Sequence, residues 1–246
     1  MVKKTYGLLL CLGALITGCA TNTVSIPDNH YSDAYRGVPS PASILLLPIS
    51  PDKDEYRHGV SAVTHLLVED LQTRHTVETV SVPVFNASWQ QAIEDVGGIY
   101  SATSGAFDRE RYFRAVEELL QELNPEGDHD IVIFPALVER QAQSTGKYAT
   151  WDGVRRANIT DGIDNARFSR WHGSVGAVSL QLNSFDGQGR WLATSYGGLV
   201  LPHFYTIKDK IPRTHLKDDM FADENALEEG VRLAVVPLLG PVVKNK

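Results

Sequence analysis

The chain has 246 residues, 43% of them hydrophobic, a formal net charge of −7 and two cysteines. An acidic protein gains nothing beside phosphates, which excludes nucleic acid as the expected partner and disfavours a basic membrane-surface helix. About 200 residues between Pro41 and Leu239 carry most of the apolar runs, enough for one domain that folds without disulfide or metal.

In chain order, Lys3 and Lys4 precede an apolar run from Gly7 to Ile16. A basic start and an apolar segment of about ten residues make a secretory signal, too short for the roughly twenty residues that span a bilayer. The run ends in Ile16-Thr17-Gly18-Cys19, which resembles the lipobox of bacterial lipoproteins. The resemblance implies lipid on the Cys19 thiol, cleavage of residues 1–18 as a signal peptide, and acylation of the new amino group. Removing Lys3 and Lys4 takes the charge from −7 to −9, and Cys11 leaves with the signal. Cys19 is then the single mature cysteine, unable to form an internal bridge but well placed for acylation. One acyl chain anchors only marginally. The lipoprotein resemblance implies three, a lasting anchor. Under the enterobacterial sorting rule, Ala20 rather than aspartate after the lipidated cysteine implies the outer membrane, facing the periplasm.

Residues 19–41 hold the lipidated cysteine and a stretch rich in Pro, Asn, Asp, Ser and Gly without apolar period, which reads as a flexible tether. The expected single α/β domain covers 42–241. Ser43–Ile49 is a continuous apolar run that suits a strand covered on both faces, with Pro48 at its end. Tyr56–Arg74 reads as a helix with Val60, Val63, Leu67 and Leu71 on one face. Val77–Val84 reads as a strand. Ser88 is the expected cap of a short helix that Gly97-Gly98 ends. Asp108 is the expected cap of a longer one, with Tyr112, Val116, Leu119, Leu120 and Leu123 on its buried face. Asp130–Val138 is a second buried strand.

Alternation is lost over 139–172, a polar and aromatic stretch read as an insertion. Residues 175–195 form a hairpin turning at Asp186-Gly187-Gln188-Gly189. Gly197–Tyr205 reads as a further strand. Asp223 caps a last helix that Pro237 should kink or end. The order, β-α-β-α-α-β, then antiparallel hairpin strands, then a C-terminal α, predicts an α/β fold with a mixed β-sheet packed by helices.

An apolar strand ending in Pro-Ile, a helix, a later Asp-Ile-Val-Ile strand and a hairpin around Asp-x-x-Gly, all behind a lipobox, resemble a known group. It comprises the curli-secretion lipoprotein, the outer-membrane activators of penicillin-binding proteins and the N-terminal domain of the Tol-system propeller protein. The resemblance covers roughly 43–240 and implies a non-enzymatic, protein-binding or assembly domain. In the curli lipoprotein, hairpins enter the membrane. Here neither alternate set of Glu139–Thr150 is apolar enough for a membrane strand, so no pore and no planar-bilayer conductance are expected.

Catalytic and metal motifs are not found. There is no Gly-x-Ser-x-Gly elbow, and Ser104 and Ser195 read as polar filler. None of the eight histidines makes a His-x-x-x-His pair. Asp161-Gly162-Ile163-Asp164-Asn165 lacks calcium-loop spacing, and no phosphate-cradling glycine loop occurs. Gly197-Gly198 reads as a strand end. No cofactor and no metal are expected.

The candidate partner-binding residues are Lys147, Tyr148, Trp151, Asp152, Arg155 and Arg156, because large aromatics and arginine are enriched in interfaces. A second reading stands beside it: Trp151 plugs the end of the core and Asp152-Gly153 turns the chain. The expected function is an outer-membrane-anchored periplasmic lipoprotein binding an envelope protein in biogenesis, secretion or peptidoglycan control. The alternatives are a periplasmic hydrolase using Asp152, Asp161 and Asp164, or a small-ligand or lipid carrier.

Overall fold

A computed structural model of the chain describes residues 25–33, 35–158, 172–208 and 211–239, with the side chains of 207, 208, 211, 212 and 239 left aside. The expected signal peptide, Cys19, and Asp161 and Asp164 lie outside the described residues.

The strands are β1 (His30–Tyr31), β2 (Ser43–Leu46), β3 (Ser50–Pro51), β4 (Thr76–Thr79), β5 (Ile131–Thr145), β6 (Tyr148–Trp151), β7 (Val154–Ala157), β8 (His172–Asp186), β9 (Trp191–Val200), β10 (His203–Lys208) and β11 (Ile211–Leu216). Among the described residues the α-helices are α1 (Arg57–Gln72), α2 (Val82–Asp95), α3 (Arg109–Leu123) and α4 (Glu224–Leu239). The main sheet runs β1-β9-β8-β5-β2-β4. Strand β2 lies parallel to β4 and β5, while β8, β9 and β1 continue antiparallel. This is the expected α/β fold with a mixed sheet.

The continuous apolar run of β2 serves two cores. Ile44 and Leu46 pack with Val63, Leu67 and Leu71 of α1 and Leu227, Val231 and Val235 of α4. Leu45 and Leu47 point the other way, toward Ala92 of α2 and Ala115, Val116, Leu119 and Leu120 of α3. Successive side chains of a strand leave opposite faces, so a strand between two helical layers must be apolar throughout. Pro48 lies in the break between β2 and β3. Four residue steps from Leu46 to Ser50 oppose three from Ile133 to Ala136, and Pro135 of β5 stands across that break. An extra residue opposite a shorter partner segment is the arrangement of a bulge.

Helix α3 is capped as expected: Asp108 Oδ1 accepts from Arg111 N at 3.1 Å. Asp223 Oδ1 likewise accepts from Ala226 N at 3.1 Å and opens α4, which ends two residues beyond Pro237. Helix α2 differs from the expectation. The strand stops at Thr79, and Val82-Pro83-Val84 begins the helix instead. Pro83 presets a helical φ in the first turn, where its missing N–H costs nothing. Val82 and Val84 accordingly point outward, 56% and 50% exposed. Ser88, the expected cap, is buried inside α2 and donates to Glu122 of α3 at 2.8 Å.

Residues 139–145 are no insertion but the second half of β5, paired with β8 from Glu139↔Val178 to Thr145↔His172. A β6–β7 hairpin follows. Gly197 and Gly198 are interior to β9, not a strand end, and the β10–β11 ribbon adds a hairpin that the sequence pattern did not predict.

The described part of the expected tether is docked on the domain. Strand β1 pairs with β9 at Thr194 and Ala193, and Ser32 N donates to the Leu192 carbonyl at 2.8 Å. Gly153 N donates to the Ser25 carbonyl at 2.8 Å, and Tyr196 N donates to Asn29 Oδ1 at 2.9 Å. The Tyr35 hydroxyl donates to the Pro237 and Leu238 carbonyls at the end of α4, at 3.0 and 2.5 Å. The edge of β9 offers unpaired backbone groups, and the polar, aperiodic composition of 25–35 did not reveal that it would take them.

One buried histidine gives the fold a pH dependence. Ala42 N donates to His75 Nδ1 at 3.0 Å, so His75 is neutral with its proton on Nε2. Burial, with Arg74 nearby, holds its pKa below the usual 6.5. The unfolded chain takes up this proton near pH 6.5 while the folded protein resists it. Stability therefore falls as the pH drops below about 6.5, and the loss levels off once folded His75 also protonates. Urea unfolding at a series of pH values should show a shallower acid-side slope for His75→Asn, whose carbonyl can still accept from Ala42. An unchanged slope would assign the acid sensitivity to other groups.

Candidate functional site

The six residues singled out in the sequence fall on and around the β6–β7 hairpin, which lies against the far half of β5 at Gln143↔Thr150 and Thr145↔Tyr148. Alternation sends Ala149, Trp151 and Val154 into a small core with Ala142, Ala177 and Leu201. Trp151 is 2% exposed, and its Nε1 donates to Ser179 Oγ at 3.1 Å. Ser179 Oγ in turn donates to Asp152 Oδ2 at 2.7 Å. Asp152 is buried at φ 35°, a left-handed conformation that aspartate and asparagine tolerate better than most residues. Its carboxylate receives Arg140 Nε at 3.1 Å, and the Arg140 guanidinium lies 4.2 Å from the Tyr196 ring centre. Burial pushes the Tyr196 phenol above its usual pKa.

Arg156 is also engaged internally. Its Nη1 meets Glu229 at 2.6 Å and its Nη2 donates to the Ala226 carbonyl at 3.2 Å, tying β7 to α4. Trp151, Asp152 and Arg156 thus hold the hairpin together. Trp151 and Asp152 are out of reach of a partner docking on the surface, as the core-plug reading has it. The outward set is Lys147, Tyr148 and Arg155. The Arg155 guanidinium carbon lies 3.6 Å from the Tyr148 ring centre and Lys147 Nζ lies 5.1 Å from it. Two cations on one half-buried ring keep its position defined on an otherwise wet surface.

A second feature was not predicted. A cleft of about 800 Å³ opens between the start of α3 and the β8–β9–β1 edge of the sheet. Phe107, Arg109, Tyr112 and Phe113 form one wall. Gln181, Asn183, Trp191, Thr194 and Tyr196 form the floor, and Asn29, His30 and Tyr31 close the side. The floor is internally ordered: Gln181 Nε2 and Thr194 Oγ1 both donate to Asn183 Oδ1, at 3.1 and 2.7 Å, and Trp191 Nε1 donates to Thr194 Oγ1 at 3.1 Å. The signal in the sequence was the polar half of the alternation, Gln181 and Asn183. Nothing there told that α3 leaves this part of the sheet open. Amides and aromatic faces can hold a ligand by hydrogen bonds and stacking, and the lining also carries Arg109 and His30, the latter 3.6 Å from Asp28.

A smaller depression of about 530 Å³ lies where β9, Lys217 and the start of α4 meet. Burial keeps Lys217 below its ordinary pKa, but Asp223 is committed to capping α4 and Arg156 to Glu229. Among the described residues no three His, Cys, Asp or Glu side chains are grouped to hold a metal ion. His58 and His65 of α1 both face solvent. No described helix is long and apolar enough to cross a membrane.

The fold and these surfaces define an α/β domain with a mixed sheet, an aromatic–amide cleft and a hairpin clamped at its far end. No protein-family model matches the chain. No curated protein matches it either. Among solved structures it is similar to PelC from Paraburkholderia phytofirmans, in two crystal forms of the dodecamer. A leucine-to-methionine variant has 9% identity and a TM-score of 0.39, covering 87% of this chain and 98% of that one. The other has 9% identity and a TM-score of 0.33, covering 88% and 99%. A likeness at that level carries no conclusion about assembly or function here.

Proposed function

We propose that this chain is a lipoprotein of the outer membrane, lipidated at Cys19, whose domain serves in the periplasm as a non-enzymatic binding or assembly factor for an envelope protein. The observation that carries the reading is Ile16-Thr17-Gly18-Cys19 behind a basic, apolar leader. Two features of the domain support binding over catalysis. The large cleft is lined mainly by aromatics and amides, with Arg109 and His30 beside them. Of the acids considered for a hydrolase, Asp152 is neutralised by Arg140. The surface proposed for the partner is Lys147, Tyr148 and Arg155.

A photo-crosslinker at Lys147 in cells should capture one defined envelope protein, and Tyr148→Ala with Arg155→Ala should abolish that capture and reproduce the deletion phenotype. If both are unchanged, this surface is not the interface. The cleft favours a second reading, the small-ligand carrier, for a ligand with flat apolar faces and hydrogen-bonding groups. Binding that alters Trp191 fluorescence, and that Asn183→Leu eliminates, would support it. A ligand indifferent to that change would count against it.

A further inference from the structure

The lipid on Cys19 fixes which end of the domain meets the membrane. Resting on the anchor reading above, we propose that Ser25 and Ile26, docked on the Asp152-Gly153 turn, are held near the bilayer headgroups, with the Asn124–Asp130 end of the domain directed away. Chain length is the basis. From Cys19 to Ser25 there are six peptide steps, and fully extended chain covers at most about 3.6 Å per residue, so Ser25 stays within roughly 20 Å of the lipidated residue. Ser25 itself is tied to the domain: its carbonyl accepts from Gly153 N at 2.8 Å. Three residues on, Asp28 lies 3.8 Å from Arg140, and Asn29 accepts from Tyr196 N. A tether free as far as Ser40 would let the domain turn in any direction. This clamp limits the reach from Cys19 to the domain to six residue steps.

The side chains at the clamp suit a headgroup surface. Ile26 is 88% exposed and adjoins the tied Ser25. Beside it, Arg140 lies between Asp152 and Asp28, at 3.1 and 3.8 Å, which leaves one net negative charge at the clamp. An apolar residue next to an acyl anchor gains by entering the interface. The opposite end follows from the length of β5. Arg140 stands beside the clamp through Asp152, and nine residue steps of strand separate Arg140 from Ile131, about 30 Å at the usual rise. Exposed Glu126 lies in the loop before Ile131.

The mature chain has no cysteine but Cys19, which acylation blocks, so introduced cysteines can be labelled singly. Ile26→Cys and Glu126→Cys proteins, each lipidated and carrying an environment-sensitive fluorophore, would be placed in phosphatidylethanolamine–phosphatidylglycerol vesicles with a headgroup-attached quencher. The label at position 26 should be quenched several-fold more than the label at 126. A glycine–serine linker of about twenty residues inserted before Ser25, with a span of roughly 25 Å, should erase the difference. Equal quenching in the parent protein, with acylated Cys19 confirmed by mass, overturns the orientation and leaves the anchor standing. An unacylated Cys19 overturns both.

Discussion

Alanine at Gly230 or Gly197 destabilises the domain by about 3 kcal/mol or more, the upper range for overpacking. Helix α4 lies directly on β9, backbone against backbone. A Cβ at Gly197 would run into the Gly230 carbonyl oxygen and stand 2.7 Å from Ala234 N. A Cβ at Gly230 would collide with the Gly198 carbonyl and stand 2.6 Å from a Leu199 methyl. Backbone cannot rotate aside as a side chain can. Alanine in a helix interior otherwise gains about 1 kcal/mol over glycine, so the two effects have opposite sign and the clash is the larger. Ser195 Oγ, donating to the Ala234 carbonyl at 2.6 Å, fastens the same approach. The check is the urea midpoint of unlipidated protein. A rise in the midpoint of Gly230→Ala would mean that propensity wins and that α4 stands off the sheet.

Asp152→Ala is the second large loss, roughly 3 kcal/mol, at the low end for breaking a buried ion pair because Arg140 keeps some contact with water. The change strips Arg140 of its carboxylate and removes the acceptor of the Ser179 hydroxyl beneath Trp151. It also places alanine at a positive φ. Asp152→Asn keeps an acceptor and tolerates that backbone, so it should lose clearly less. Unfolding in urea, followed by tryptophan fluorescence, separates the two variants. Equal losses would show that charge, not hydrogen bonding or backbone, dominates at this turn.

The fold was legible where one residue set had one task. The uniformly apolar β2 could only lie between two helical layers, and Asp108 and Asp223 could cap α3 and α4 by local chemistry alone. It was hidden where tertiary partners decide. Val82 and Val84 alternate as in a strand, yet Pro83 and the packing of α2 on α3 make them helical. Gly197-Gly198 looks like a stop in sequence, and only the presence of α4 explains why glycine is required inside β9. Trp151 carried two readings because an aromatic on a short strand can face either way. Its partner Ser179, twenty-eight residues distant, decides which. The cleft depends on where α3 begins relative to β8 and β9, a relation no local pattern records.

Cys19 carries the proposed anchor, and the most direct measurement of it is the mass of the mature N-terminal peptide recovered from the membrane fraction of cells. The predicted result is a chain that begins at Cys19 with lipid on the thiol and an acyl group on the amine, and a Cys19→Ser protein that carries no lipid and leaves the membrane. An N-terminus at another residue, an unmodified Cys19, or a Cys19→Ser protein that stays membrane-bound would contradict it.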